Sequence, residues 1–263
     1  MAHARPDAAR PADAFPLSAR RTYRLVLAYD GTGFHGWQIQ SDLPTVQGAL
    51  LAAARPLFEG EVRLTGASRT DAGVHAVGQA ASLTGISALP PAAVQGALNA
   101  RLPPAIRVMS AAEAPPSFDA RRAARGKRYL YLIDGGDVRS PLLQRYAWHV
   151  GGPLDVGAMR AALGPLRGRH DFGAFCAAPG RDVDPTCHVR AVHVRRRRAL
   201  VAVAISADRF LHHMVRNVVG SVVEIGRGAR APAWLADVLR GGDRTRAGPT
   251  APAQGLTLLR VLY

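Results

Sequence analysis

The order of secondary-structure signals predicts an α+β protein built as two halves whose antiparallel sheets join. Strand-like and helix-like segments alternate as β-α-β-β-α-β over residues 23–109, and a similar order returns more loosely over 128–262. A chain of 263 residues suits one large domain or two fused small ones. The longest uninterrupted apolar run is residues 199–205, far short of the roughly 20 residues that a membrane-spanning helix needs.

The first half opens with a β-rich segment, residues 23–29, that ends on the turn pair Asp30-Gly31. Pro44-Thr45 starts an Ala/Leu-rich helix to about Leu57. Thr45 is the expected N-cap, because its hydroxyl can accept one of the first turn's unpaired N–H groups. Strands over 62–65 and 77–83 flank a polar loop. Pro90-Pro91 begins a second helix to about Ala100, and 106–109 closes the half as a strand. In the second half, strands are expected at 128–133 and 145–150, a helix over about 154–166, then strands at 189–194 and 200–206. A longer helix over about 210–225 follows, then a short one at 233–239 and a last strand at 256–262. Residues 1–20 are rich in Ala, Pro and Arg and lack apolar periodicity, so they read as a disordered tail. The halves then span 21–115 and 116–263.

Thirty-four Lys and Arg against 19 Asp and Glu leave a formal charge of +15. Lys127 is the single lysine, so the preference for Arg reflects codon bias, but bias cannot create the excess charge itself. That excess points to a phosphate-backbone partner. Two cysteines, Cys176 and Cys187, are too few for a disulfide framework. With no signal-peptide pattern either, a cytoplasmic protein is expected.

Three signals fail on inspection. Gly31-x-Gly33-x-x-Gly36 follows a strand, yet Trp37, Gln38 and Pro44 intervene before any helix that could face a pyrophosphate. His212 and His213, read as neighbours on a helix, diverge by about 100°, whereas helical metal ligands sit at i and i+4. No metal is expected. The run Arg195 to Arg198 falls at an expected hairpin turn, where a solvated turn and a phosphate contact are equally good readings.

The densest polar cluster is the loop GASRTDAGVHA, residues 66–76. Gly66, Ala72 and Gly73 leave the backbone around Asp71 approachable, so a large ligand can dock against that carboxylate. Taken bare, an Asp in a loop is as readily a turn-former.

Longer strings go further. YDGTGFHGWQ (29–38), TVQGAL (45–50), GASRTDAGVHA (66–76), FDAR (118–121), KRYLY (127–131), DFGAF (171–175), FLHHMVRNVVG (210–220) and AQGL (253–256) closely resemble the TruA-type tRNA pseudouridine synthases. The match runs from about Tyr23 to Tyr263. The resemblance implies two ferredoxin-like (RRM-like) halves forming a central antiparallel or mixed sheet with flanking helices. It also implies conversion of uridine to pseudouridine at positions 38, 39 and 40 of the tRNA anticodon stem and loop, without cofactor, by a homodimer. Asp71 then matches the family nucleophile, and a carboxylate can form and release a covalent adduct. Arg216 matches its ion-pair partner, Tyr129 the tyrosine that stacks on uracil, and Leu256 the residue beneath the base. Arg69 matches the arginine that enters the space a flipped base leaves. Phe118, Asp119, Ala120, Arg121 and Arg122 match one RNA-contact segment, and Pro179, Gly180, Arg181, Asp182 and Val183 the other. Whether Asp71 attacks C6 of the base or C1′ of the sugar is left open by the residues. A non-catalytic RNA-binding module and a two-carboxylate glycosidase using Asp30 are the rival readings.

Overall fold

The computed structural model describes residues 18–177 and 184–263. The first half runs β1 (Ala19–Tyr29), α1 (Val46–Ala54), β2 (Glu59–Gly66), β3 (His75–Ser87), α2 (Pro91–Arg101) and β4 (Ile106–Ala114). The second runs β5 (Gly126–Asp134), β6 (Trp148–His149), α3 (Val156–Leu163), β7 (Gly168–Asp171), β8 (Thr186–Arg197), β9 (Leu200–Ala207), α4 (Met214–Gly226), α5 (Ala233–Gly241) and β10 (Leu256–Leu262).

These strands form one sheet in the order β4-β1-β3-β10-β5-β9-β8-β7, with β2 on β3 and β6 on β5. In the first half the order is β4-β1-β3-β2. In the second, β5, β8, β9 and β10 repeat it as β10-β5-β9-β8. Both are the ferredoxin-like arrangement, in which the first strand lies between the fourth and the third.

The halves meet through the last strand of the chain. On one edge of β3, β2 pairs with residues 81–84 and again near Ile86, while β10 runs parallel to it at His75 and Ala76. Antiparallel to β5, β10 therefore closes the gap that β2 leaves when it turns away at Gly66. The loop with Asp71 departs at this junction.

Alternation along the strands sets the core. Tyr23, Leu25, Leu27 and Tyr29 of β1 are buried, as are Tyr129, Tyr131 and Ile133 of β5. Helix α4 is apolar nearly all round, and Arg216 and Glu224 are its only residues that are not buried. Among the described residues, no helix is long and apolar enough to cross a membrane.

Several boundaries differ from the sequence reading. Ala19 and Arg20, placed in the tail, pair with Ser87 and Ile86 as the start of β1. The strand expected at 145–150 contracts to β6, because the N–H groups of Tyr146 and Ala147 turn back to the carbonyl of Leu143. The polar strand β7 carries no apolar alternation to announce it; its pairing comes from β8. Helix α4 begins at Met214 instead of Phe210, since His213 takes a left-handed backbone with φ of 60°. The arginine run is mostly strand: β8 continues through Arg197, and only Arg198 and Ala199 turn. The N-cap expectation holds, with the Thr45 hydroxyl accepting from the Gly48 N–H at 3.2 Å.

Candidate active site

Residues 67–74 are clamped from both flanks. From β3, the fully buried Gln79 donates to the carbonyl of Ser68 at 2.6 Å and accepts from the Ser68 N–H at 3.2 Å. From β1, the Tyr29 hydroxyl meets Thr70 Oγ1 at 2.8 Å. The Trp37 N–H donates to the Thr70 carbonyl at 3.0 Å. Gly36 lets that segment approach: its φ is +86°, and a Cβ there would lie 2.5 Å from the Thr70 carbonyl oxygen. Two glycines of the apparent dinucleotide motif, Gly31 and Gly36, thus belong to the support of the Asp71 loop.

His75 locks the loop's far end. Its Nδ1 accepts from the Gly31 N–H at 3.0 Å, which puts the proton on Nε2, where the Arg145 carbonyl lies 2.8 Å away. Asp30 Oδ1 stands 3.2 Å from the same Nδ1, but with that nitrogen accepting, the pair is not an ion pair. The Asp30 carboxylate accepts instead from Thr32 and from the Tyr146 hydroxyl. Asp30 does not line the cavity that Asp71 faces, and among the described residues that cavity has no second carboxylate of the glycosidase kind.

The second half delivers the counter-charge. Arg216, in the first turn of α4, donates through Nε to the Ala251 carbonyl at 2.8 Å and through Nη1 to Asp71 Oδ2 at 3.2 Å. One guanidinium edge is pinned to backbone while the other holds the carboxylate, which a single ammonium could not do. The side chains of Arg216 and Asp71 are 14% and 23% exposed, so the pair is largely out of water yet open on one side. Close packing fixes the distance. A Cβ on Gly220 would lie 1.7 Å from the Pro249 carbonyl oxygen, so only glycine lets α4 lie against the segment that carries Ala251.

His212 and His213 both reach Asp71, which corrects the reading of two diverging helical side chains. They precede the helix, and the left-handed turn at His213 stacks the rings with centroids 3.9 Å apart. His213 Nε2 lies 3.3 Å from Asp71 Oδ2, and His212 Nε2 lies 3.8 Å from Oδ1. Burial holds the His213 pKa below its usual range; Asp71 opposes this, while Arg216, His212 and Arg244 reinforce it. Each of the three residues offers one donor atom within 4.8 Å of the others. The Arg216 guanidinium on the same carboxylate sets a permanent cation beside that point, which disfavours a divalent ion.

Asp71 faces a cavity of about 830 Å³ also lined by Arg69, Arg121, Lys127, Tyr129, Phe210, Arg216 and Leu256. The Tyr129 ring meets Phe210 edge-on at 5.0 Å, and its hydroxyl lies 2.8 Å from Ser68 Oγ. Burial pushes the Tyr129 phenol up to about 12, with the charge of Asp71 adding to the shift, so the hydroxyl keeps its proton at neutral pH. Tyr131, on the same face of β5, is wholly enclosed and donates to the Pro252 carbonyl at 2.6 Å. Arg69, Arg121 and Lys127 give the cavity its positive lining. Burial draws the Lys127 pKa down, and Arg121 and Arg209 add to that.

The segment 118–122 divides. Ala120, expected as an RNA contact, is fully buried, its N–H donating to Ser82 Oγ and its carbonyl accepting from the Tyr263 hydroxyl. Phe118 is half-buried against Tyr263, and the Asp119 carboxylate accepts from the N–H groups of Arg121 and Arg122. The turn so formed presents Arg121 and Arg122 to solvent. Pro179, Gly180, Arg181, Asp182 and Val183 lie outside the described residues. The sequence reading missed Gln79, His212 and His213. A glutamine amid the small and apolar residues of β3 was the available signal for the first.

A carboxylate held this way at the join of two ferredoxin-like halves, beneath a cationic rim, suits an enzyme that works on a nucleic-acid base. The pattern of the tRNA pseudouridine synthase family matches residues 25–121 and 162–263, and the chain belongs to that family, in its TruA-type branch. It is 44% identical over 241 residues to the tRNA pseudouridine synthase A of Myxococcus xanthus, covering 91% of each chain. With that of Brevibacillus brevis it shares 42% identity over 240 residues, covering 91% of this chain and 98% of the relative. With that of Xanthomonas euvesicatoria it shares 40% over 243 residues, covering 92% and 95%.

Proposed function

We propose that this tRNA pseudouridine synthase isomerises uridines 38, 39 and 40 of the anticodon stem and loop, with Asp71 as the nucleophile. The observation that carries the reading is the Asp71–Arg216 pair at 3.2 Å, open to a cavity floored by Tyr129. The reaction breaks the bond from C1′ to N1 and makes one from C1′ to C5. A hydrogen leaves C5 and one is gained at N1, so nothing is oxidised and no co-reactant is needed.

Arg216 holds the Asp71 carboxylate aimed in a partly desolvated site. Tyr129 stacks against the uracil, and Leu256 packs beneath it. A base in a stem must leave its stack to reach the cavity, and Arg69, exposed at the rim, holds the vacated space. Arg121, Arg122 and the segment 179–183 bind the RNA backbone, so affinity falls steeply with salt. The enzyme acts in the cytoplasm as a homodimer, one subunit gripping the body of the tRNA that the other modifies.

The test is pseudouridine mapping on an unmodified tRNA transcript with purified protein and no added cofactor, beside Asp71→Asn. New pseudouridine at 38 to 40, absent with the variant, is the expected result. A folded, tRNA-binding wild type that yields no product would sink the reading and favour an RNA-binding module. A monomeric mass by light scattering would remove the dimer.

A further inference from the structure

We propose that His213 is a positioning residue which, together with Arg216, holds Oδ2 of Asp71 and leaves Oδ1 as the attacking oxygen. The proposal rests on Asp71 being the nucleophile and deepens that reading to a single atom. The two oxygens of a free carboxylate are equivalent, and here they are not. Oδ2 has Arg216 Nη1 at 3.2 Å and His213 Nε2 at 3.3 Å. Among the described residues, Oδ1 has only His212 Nε2 at 3.8 Å, beyond hydrogen-bond reach.

The backbone is bent to put the imidazole there. His213 occupies the left-handed region, which is strained for a residue with a side chain. At the N-cap of α4 its side chain caps no N–H, so the strain is not offset by helix capping. The ring instead turns back onto Asp71, with His212 stacked behind it at 3.9 Å. The segment is held by the Ala177 N–H on the His212 carbonyl and the Met214 N–H on that of Leu211.

The groups facing His213 are Asp71 from the β2–β3 loop, Arg216 on α4, His212 beside it and Arg244 from the turn after α5. Three of these oppose a second positive charge, and burial does likewise. A neutral ring can present an Nε2–H to Oδ2, and a small rotation brings the off-line contact into alignment, as free enzymes often require. In the reaction, Oδ1 bonds either to C1′, as the C1′–N1 bond breaks and its electron pair leaves with N1, or to C6, as the C5–C6 π bond opens toward the C4 carbonyl. The bond to Oδ1 then breaks, its electron pair returning to the carboxylate. Donors fixed on Oδ2 stabilise the carboxylate as its charge returns, so they act on the chemical step more than on binding.

Single-turnover rates at saturating enzyme, with tRNA affinity measured in parallel, test this on His213→Leu, His213→Gln and Asp71→Asn. Leucine removes the donor; glutamine keeps an N–H within reach. The expected result is a rate about tenfold to a hundredfold lower for His213→Leu with unchanged tRNA affinity, the range for a lost hydrogen bond to a charged group. His213→Gln should recover to within about threefold of wild type, and its acid limb should move to lower pH because the titrating imidazole is gone. Equal rates for the leucine and glutamine variants, whether both fast or both slow, would overturn the proposal. Product from Asp71→Asn would instead overturn the nucleophile reading, whereas an inert Asp71→Asn beside a fast His213→Leu would remove His213 alone.

Discussion

The two halves share one strand order and use it for different ends. In the first, β2 and β3 are joined by residues 67–74, a loop long enough to carry Asp71 and clamped on both flanks. In the second, the equivalent strands β8 and β9 are joined by the tight turn Arg198-Ala199. The helices differ in the opposite sense. Helix α2 starts on Pro90 and Pro91, buries only Val94 and Leu98, and lies over the edge strand β4. Its counterpart α4 is buried almost all round and starts with His213 and Arg216 aimed at Asp71. A duplicated scaffold thus yields one site from unlike parts, an acid from one half and its holders from the other. Sheet order positions both; connection length and helix start decide the chemistry.

The comparison can be broken first on the helix side. Gly220→Val drives a branched side chain into the Pro249 carbonyl, 1.7 Å from where Cβ would stand. The expected loss is about 3 kcal/mol or more of folding stability, read from the denaturation midpoint. A variant as stable as wild type would mean that α4 and the 248–251 segment can separate without cost.

Arg216→Lys leaves the charge and removes the two-sided grip on Ala251 and Asp71. We expect turnover about a hundredfold lower with tRNA affinity little changed, since fixed donors at a reacting carboxylate matter in this range. An active lysine variant would show that charge alone is enough.

The loop side breaks at Gln79. In Gln79→Leu the Ser68 N–H and carbonyl lose their buried partner, at a cost of about 1–3 kcal/mol for each group left unpaired. Activity should fall about tenfold, because Asp71 lies three residues along the loop that Ser68 anchors. Thermal unfolding and turnover together separate the two effects.

The smallest effect expected is on the pH dependence of stability. The folded pKa of His213 lies below its unfolded value of about 6.5, so the unfolded chain binds the extra proton first as pH falls. Its contribution is fully present above about pH 6.5 and is lost as pH falls through the folded pKa. His213→Gln should therefore flatten the stability curve below pH 6.5 and leave it unchanged above.

Much of this was legible in the chain itself. β-rich composition marked residues 23–29, which bury alternate positions, whereas 79–83 in the strand read at 77–83 are buried without a break. Pro44-Thr45 and Pro90-Pro91 marked helix starts through local chemistry alone. The loop at 66–76 stood out because small residues surround one acid. The strand β7 was hidden, since a four-residue polar segment holds its place only through the hydrogen bonds of β8. So was the fate of the 118–122 segment, where three of five side chains serve the turn and the core.

The sequence by itself determined the order of elements apart from β7, the positive charge and the acid in its small-residue loop, because these depend on local pattern and composition. Only the tertiary structure decided that the last strand enters between β3 and β5. That insertion joins two sheets into one and sets the start of α4 over the β2–β3 loop. It also decided that His212 and His213 converge on Asp71 instead of diverging along a helix. A single left-handed residue at the helix start determines this, and its strain is tolerated only because the neighbouring segments hold it in place.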